Sequence, residues 1–437
     1  MSSEMGIKKM RYRWLNAELE SMIGDEGIKV PGLGVIVYRA GEEVYSKFLG
    51  SRRIDNRDRR RDLPITRDTR LRAASVSKPF VMFTIMQSVE RGLIKLDENV
   101  ERYLQFRLRN PNSPSKEITV RMLASHTSSL RDGKIYSVPP NVSIEECFDP
   151  KGRYWEEGSH FAPAEEPIGK YFCYCNLNYG LLGTIIERVT GVRFDRYQKE
   201  NILSQLEIKG DYVPSNFEHE QFKLLGATYR KGDPRGGWTA TRDAYDTQPS
   251  NDMLELQNAY SDRDNGAYDL KSYAVGTNAT IFSPQGGLRI SFEELGHALE
   301  MLINGGEYRG RRVLSQNSIE QMIKPNWIYD PTVGNGDNYD GAMNNYGLGL
   351  YRIGCGRSRV SAEHEVELIG HTGAAFGMLS GIFFDRLTKN GFIYMINGLP
   401  CDEDKDIRAR GKFSANYIWE EQLMGALIKM LANDQDL

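Results

Sequence analysis

The sequence is poor in cysteine, and its few cysteines are scattered. Five occur in 437 residues: Cys147, Cys173, Cys175, Cys355 and Cys401. The number is odd, and Cys173-x-Cys175 has no second pair at metal-ligand spacing. We therefore expect no disulfide framework, no metal site and no cofactor, and a reducing compartment.

Long hydrophobic runs and an excess of one charge are also absent. No stretch approaches the roughly 20 apolar residues that span a bilayer, and segment 1–14 lacks the apolar run and small-residue cleavage site of a secretory signal. The net charge is −3 and the pI is about 6.2, so nothing global indicates nucleic acid or an anionic membrane. We expect a soluble cytoplasmic protein that binds neither. The sequence does not indicate an oligomeric state.

One local exception is an arginine-rich segment, residues 52–72. Four aspartates interleave with its arginines: Asp55, Asp58, Asp62 and Asp68. Mixed charge of this kind is typical of a solvated surface loop. We favour that interpretation over an anion-binding site.

The most informative feature that is present is Ser75-Val76-Ser77-Lys78. It stands where an apolar helix begins, predicted over residues 78–91. Positions three apart lie on one helix face, so Ser75 Oγ and Lys78 Nζ can meet. A buried lysine has a lowered pKa and can act as the base that a serine nucleophile needs. Four residues alone are a common pattern, and Ser75 could equally be a helix N-cap.

Hydrophobic periodicity places strands near both ends of the chain and helices between them. Helices are predicted over 9–23, 78–91, 119–126, 177–190, 194–203, 291–302 and 417–431, and strands over 33–38, 44–48, 346–351, 366–371, 376–384 and 392–396. Residues 208–280 read as long loops or a lid. The pattern predicts an α+β fold: an antiparallel sheet flanked by the terminal helices, with an inserted, mainly helical lobe. We assign 1–79 and 285–437 to the sheet lobe and 80–284 to the helical lobe, with a site at their junction.

Two further motifs complete a constellation: Tyr174-Cys175-Asn176 before a helix, and His371-Thr372-Gly373 at the end of a strand. Ser-x-x-Lys, Tyr-x-Asn and His-Thr-Gly in this order resemble the serine β-lactamase and penicillin-binding-protein superfamily. The branch is that of class C β-lactamases, D-Ala-D-Ala carboxypeptidases, D-aminopeptidases and family VIII esterases. Segments 118–128, 178–183 and 286–288 are also similar to that branch. The resemblance runs from about Pro31 to Gly398.

This resemblance implies a β-lactamase/transpeptidase-like fold and a role for each matched residue. Ser75 would attack an acyl carbonyl and form an acyl-enzyme, Lys78 would share or accept its proton, and Tyr174 would act as a phenolate or proton relay. The implied substrate-binding residues are Asn176, His371, Thr372 and Gly373. The implied oxyanion hole consists of the backbone N–H groups of Ser75 and Ala374. Each residue also has a purely structural interpretation, but their joint occurrence favours a site.

Three departures from the family pattern bear on substrate and reactivity. His371 stands where β-lactamases of this branch carry lysine, which weakens the case for a substrate carboxylate. Ser129 replaces a glycine and can restrict a turn without touching the chemistry. Cys173 and Cys175 flank Tyr174 and would share one side of an extended segment, so thiol alkylation is expected to slow catalysis. His126 is interpreted as structural, in a buried turn.

We therefore expect a serine hydrolase acting on small esters or amides as a small-molecule acyl substrate. The alternatives are a D-Ala-D-Ala-type carboxypeptidase, D-aminopeptidase or β-lactamase, and, from another class, a non-catalytic sensor on the same fold. Specificity is expected to reside in residues 130–170 and 208–280.

Overall fold

A seven-stranded antiparallel sheet, built from both ends of the chain, organises the fold. The computed structural model describes residues 12–232, 236–249, 253–255, 267–354, 356–403 and 405–433. The strands are β1 (Gly32–Arg39), β2 (Glu42–Arg53), β3 (Leu63–Pro64), β4 (Tyr351–Ile353), β5 (Leu368–Ala375), β6 (Met378–Asp385) and β7 (Asn390–Ile396). They are ordered β4-β5-β6-β7-β1-β2-β3. The pairing of β1 with β7 joins the two chain ends, as the sequence predicts.

The longer helices that pack around this sheet come from the predicted segments. The longer ones are α1 (Arg13–Ser21), α2 (Ser77–Glu90), α3 (Asn176–Thr190), α4 (Phe292–Ile303) and α5 (Ile418–Asn433). Shorter helices span Glu101–Leu104, Val120–Ala124, Phe194–Gln198, His219–Phe222 and Gln316–Ile323. Helix α4 begins with the expected capping box, in which Ser291 and Glu294 each bond the other's backbone N–H.

Alternation along the strands gives the sheet two buried faces. Val35 and Tyr394 are paired and belong to the core that includes α1 and α5. The neighbouring pair, Ile36 and Ile393, points to the opposite core, which includes α2, α3 and α4. Because successive strand residues face opposite sides, both sets must be apolar. The sheet is thus sandwiched between the terminal helices and the helices of the middle of the chain.

Helix α2 is enclosed because nearly every residue from Ser77 to Ser88 is apolar or internally bonded. All twelve of these positions are buried. Pro79 is accommodated in the first turn, where its missing N–H has no helical partner. A helix buried on all sides holds its first turn rigidly. This places Ser75, just before it, on a fixed support.

Several predicted elements differ in detail from the structure. The strand expected over 346–351 is two short strands, Asn345–Tyr346 and β4. His371–Gly373 lie inside β5 rather than at a strand end, because β5 continues to Ala375. The helix expected over 194–203 continues beyond Gln198 as a π-helical turn, Lys199–Leu203.

Residues 208–280 are only partly described. Short strands occur at Thr228–Arg230, Thr239–Arg242, Met253–Glu255 and Ala267–Asp269. The first pairs in parallel with Gly398–Leu399, so part of this segment is anchored beside the main sheet. The expected loops at 233–235, 250–252 and 256–266 lie outside the described residues, as do Cys355 and the first residues of the predicted helix 9–23.

The arginine-rich segment divides into a surface part and a buried part. Arg59 and Arg60 are exposed and pair with aspartates, as a solvated loop requires. Arg70 and Arg72 are instead buried, and pair with Glu294 and Asp243. The surface-loop interpretation is therefore wrong for these last two arginines, because the chain has entered the core by Arg70.

The boundaries assigned to the two lobes, 1–79 with 285–437 and 80–284, remain a prediction. Within the described residues, no helix is both long and apolar enough to cross a membrane.

Candidate active site

Ser75 lies in a tight 3₁₀ turn, Ala74–Val76, immediately before α2. Ala74 has a φ of +46°, a left-handed conformation that is unfavourable for alanine. Contacts on both sides hold the turn: Ala73 N donates to Leu288 O at 2.7 Å, and Ser380 Oγ donates to Ala73 O at 2.6 Å. Strained turns of this kind persist where the surroundings over-determine them, as at many active sites.

Lys78 is the partner that the sequence predicts for Ser75. Its Nζ lies 3.1 Å from Ser75 Oγ, 2.8 Å from Asn176 Oδ1 and 3.2 Å from Gln285 O. The side chain is fully buried. Burial lowers the pKa of Lys78 to about 7, although the charges of Asp132 and Cys175 act in the opposite direction. A lysine that is half neutral near pH 7 can accept the proton of a serine hydroxyl.

Asn176 connects Lys78 to an acid that the sequence did not reveal. Its Oδ1 accepts from Lys78, and its Nδ2 donates to Asp132 Oδ2 at 2.9 Å. Asp132 Oδ1 also accepts from the backbone N–H of Leu177 at 2.9 Å. Asp132 therefore accepts from a backbone N–H at the start of α3 that has no partner within the helix.

Tyr174 faces Ser75 from the other side. Its hydroxyl is hydrogen-bonded to Ser75, but burial dominates and raises the pKa of Tyr174 well above its ordinary value. Lys78 Nζ lies 4.5 Å from the centre of the tyrosine ring. The environment thus favours the neutral phenol over the phenolate, and fits the proton-relay alternative.

His126 supports Tyr174 from behind. The two rings stack with centres 4.3 Å apart. Nδ1 accepts from Cys175 N at 3.0 Å, so this nitrogen carries no proton. Burial, followed by the charge of Lys78, lowers the pKa of His126 well below its usual value. The imidazole is neutral and positions the Tyr174 segment, in agreement with a structural role.

His371 is buried and neutral. Its Nε2 lies 2.9 Å from the Tyr346 hydroxyl. Burial, with a further contribution from Lys78, lowers the pKa of His371 to about 3. Beside it, Thr372 Oγ1 lies 2.9 Å from the Tyr351 hydroxyl. Position 371 therefore contributes no positive charge to the site.

Gly373 and Ala374 bring strand β5 against Ser75. A Cβ added to Gly373 would lie 2.9 Å from Ser75 N and 2.7 Å from Ala73 O. Only glycine allows this close approach. Ser75 and Ala374 both line the same cavity, where the backbone N–H groups of the expected oxyanion hole would have to act.

A cavity of about 450 Å³ opens from Ser75. Its lining includes Tyr174, Tyr351, His371, Thr372 and Ala374. Other walls come from two segments that sequence reasoning missed, 337–343 and 403–420. In the described lining no residue of 130–170 or 208–280 appears, so the expectation that these segments hold specificity is not met by this cavity. The walls could not be found from sequence because they carry no motif and lie far from Ser75 along the chain.

Comparisons with known proteins agree with this geometry. Over 232 residues the chain is 22% identical to Protein flp of Staphylococcus aureus (strain NCTC 8325 / PS 47), covering 51% of this chain and 44% of that protein. It is 31% identical to Esterase EstB of Burkholderia gladioli over 173 residues, covering 37% and 42%. The chain thus spans less than half the length of these curated relatives.

A solved structure with a similar fold is the D-amino acid amidase from Ochrobactrum anthropi SV3, complexed with D-phenylalanine. The TM-score is 0.61 at 20% identity, over 96% of this chain and 99% of the amidase. At this identity the likeness concerns the fold, which is the β-lactamase/transpeptidase-like fold expected from the motifs.

The fold and the Ser75 constellation define the class of serine β-lactamase-like proteins. The Beta-lactamase family model matches residues 20–417, most of the chain, and the protein belongs to that family.

Proposed function

We propose that this protein is a serine hydrolase that forms an acyl-enzyme on Ser75 and acts on small esters or amides. The observation that carries the proposal is the 3.1 Å contact of Ser75 Oγ with a fully buried Lys78. A lysine needed only for packing or charge has no reason to be desolvated beside a serine that lines a cavity. Family membership supports the same conclusion.

In the proposed first step, Ser75 Oγ attacks the substrate carbonyl while its proton passes to neutral Lys78. The carbonyl oxygen gains negative charge, and the backbone N–H groups of Ser75 and Ala374 would stabilise it. Such donors are typically worth about 3–4 kcal/mol in the transition state. The tetrahedral intermediate then collapses as the leaving oxygen or nitrogen takes a proton through Tyr174.

The second step releases the acyl group. Water adds to the ester carbon of the acyl-enzyme, and its proton passes to neutral Lys78, directly or through Tyr174 as a relay. The bond between the acyl carbon and Ser75 Oγ then breaks as Lys78 returns a proton to Oγ, so the acid product leaves and the free serine is regenerated. Asn176, held by Lys78 and Asp132, keeps the ammonium and the amide in register during both steps.

The charge of the cavity weighs against the carboxylate-bearing substrates of carboxypeptidases and β-lactamases. His371 is neutral, and in the described lining the one cationic side chain is Arg410. Arg410 lies 3.9 Å from Asp340. Four carboxyl groups share the same walls: Asp337, Asp340, Glu403 and Glu420. The described lining therefore offers a substrate carboxylate more acidic than cationic partners.

The test is intact-mass analysis after exposure to a p-nitrophenyl short-chain ester, a chromogenic cephalosporin and a D-alanyl amide. We expect an acyl adduct or turnover with the ester or amide that Ser75→Ala loses. Ser77→Ala is the matched control, because its hydroxyl accepts from Leu288 N. If no donor gives an adduct or turnover, the result would instead favour a non-catalytic sensor.

A further inference from the structure

The wall of the active-site cavity opposite β5 is acidic. Asp337 and Asp340 come from one segment, Glu403 from a second and Glu420 from the first turn of α5. One cation in the described lining, Arg410, is shared with Asp340. Asp337 and Asp340 are exposed, whereas Glu403 and Glu420 are buried, so it is the two glutamates whose mutual repulsion would favour a cationic occupant.

Glu403 supplies an observation independent of this excess of acids. Its side chain is 3% exposed, and its Oε1 pairs with Arg230. Its Oε2 is buried at the cavity wall and has no hydrogen-bond partner among the described residues. A buried carboxylate oxygen without a donor is costly, so it marks a position where a ligand donor would be stabilised.

Glu420 is the second buried acid on this wall. Its Oε1 accepts from the Tyr394 hydroxyl at 2.6 Å, and no ion pair involves it in the described part of the chain. Burial raises the pKa of Glu420 to about 7. A cation close to Glu420 would restore its charge. The carboxyl of Glu420 would therefore ionise beside a positive ligand and not beside a neutral one.

We infer that the substrate of this site carries a protonated amine, which Glu403 and Glu420 hold while Ser75 attacks the ester or amide carbonyl. An ammonium group presents donors and no acceptor, and so complements carboxyl oxygens. The cavity, at about 450 Å³, is of a size that holds both groups of one small molecule. This inference rests on the proposed function and adds the chemical class of its substrate.

The test compares esters with and without a protonated amine, placed on either side of the carbonyl. One pair is alanine methyl ester, as each enantiomer, and its N-acetyl derivative. The other is 2-(dimethylamino)ethyl acetate and the isosteric 3-methylbutyl acetate. We expect at least a tenfold higher kcat/KM for the cationic member of at least one pair. Equal or better turnover of the neutral member in both pairs overturns the inference.

Two variants test whether a preference for the cationic ester depends on this wall of the cavity. Glu403→Gln and Glu420→Gln keep an acceptor for Arg230 and Tyr394 and remove the charge. Each is expected to reduce the preference at least threefold, whereas Glu165→Gln, at an exposed position outside the cavity lining, retains it. A preference unchanged in both cavity variants overturns the inference. If either variant fails to fold, competitive inhibition of the unaltered protein by butylammonium decides, and inhibition no stronger than that by butanol counts against the proposal.

Failure of the underlying function has a different signature. Turnover of every ester that is as fast in Ser75→Ala as in the unaltered protein overturns both the proposed function and this inference. Turnover that depends on Ser75 but ignores the amine overturns the inference alone.

Discussion

Asp132 Oδ2 accepts a hydrogen bond from Asn176 Nδ2 at 2.9 Å, and the same amide accepts from Lys78 through its Oδ1. An acid that does not itself contact Ser75 is therefore connected to Lys78 through Asn176. The carboxylate also raises the pKa of Lys78 against the effect of burial. We therefore infer that Asp132 positions Lys78 through Asn176.

Replacing Asp132 by asparagine is expected to lower kcat/KM about tenfold, because asparagine keeps only one of the two acceptor oxygens that hold Asn176 and Leu177. It should also move the acid limb of the pH–rate profile to lower pH. Without the negative charge the pKa of Lys78 falls from about 7, and the neutral base persists at lower pH. The measurement is kcat/KM for a short-chain ester between pH 5 and 9.

Asp149→Asn is the matched control, since Asp149 is exposed. It is expected to leave both rate and profile in place. An acid limb that stays fixed or moves upward in Asp132→Asn would contradict the assignment, whatever happens to the rate, because a merely structural defect does not shift the limb in this direction.

Lys78 also makes the stability of the protein depend on pH. Its pKa is about 7 when folded and near its ordinary 10.5 when unfolded. Between these values the unfolded chain binds the extra proton, so the free energy of unfolding rises with pH. Relative to Lys78→Met, the unaltered protein should therefore gain stability from about pH 7 to 10.5. The full gain is on the order of 5 kcal/mol.

Urea denaturation of both proteins at several pH values measures this difference. The hydrogen bonds that Lys78→Met loses change the difference in the free energy of unfolding by a constant. They do not change how this difference depends on pH. Lys95→Met, at an exposed position, should show no comparable trend. If the difference in stability between the unaltered protein and Lys78→Met does not depend on pH over this range, Lys78 is not a desolvated lysine with a lowered pKa.

The fold and the centre of the site could be predicted because each depends on short-range patterns. Alternating strands such as β1 and β7 carry their own periodicity, and Ser75–Lys78 is a helix-face relation four residues long. The family resemblance then supplied the order in which Tyr174 and His371 join them. The first residues of helices could also be predicted from short-range patterns, as the capping box at Ser291 illustrates.

What could not be predicted depends on contacts between distant segments without motifs. Asp132 reaches Asn176 across 44 positions, and Glu403 and Glu420 reach the cavity from beyond the last strand. No periodicity marks such residues, because their role arises only when the chain has folded. The same holds for Arg70 and Arg72, whose burial depends on partners at 294 and 243.

The cysteines beside Tyr174 differ in accessibility. Cys175 is fully buried, its thiol donates to Asp132 at 3.3 Å, and burial raises its pKa well above the usual value. Cys173 is half-buried with a more modest rise. Iodoacetamide at pH 8 should thus modify Cys173 slowly and leave Cys175 unmodified until the protein unfolds. Peptide mapping by mass spectrometry measures both.

Modification of Cys173 is expected to slow ester turnover, because the added group lies one residue from Tyr174. Cys173→Ser should remove this sensitivity to iodoacetamide. Full modification of Cys173 with unchanged activity would reject the link to catalysis, and early labelling of Cys175 would reject its enclosure.

Ser129 occupies a turn that favours glycine. Its φ is +67°, in the left-handed region, and its Oγ accepts from Asn110 at 3.3 Å. Ser129→Gly and Ser129→Ala both lose this hydroxyl, so their difference isolates the backbone. We expect the glycine variant to be more stable than the alanine variant by about 1 kcal/mol. At Ser88, inside α2, the same two substitutions should differ by a similar amount in the opposite sense, since glycine is a poor helix residue. Thermal or urea unfolding of the four variants measures both differences, and equal stabilities at position 129 would show that the left-handed turn imposes no strain.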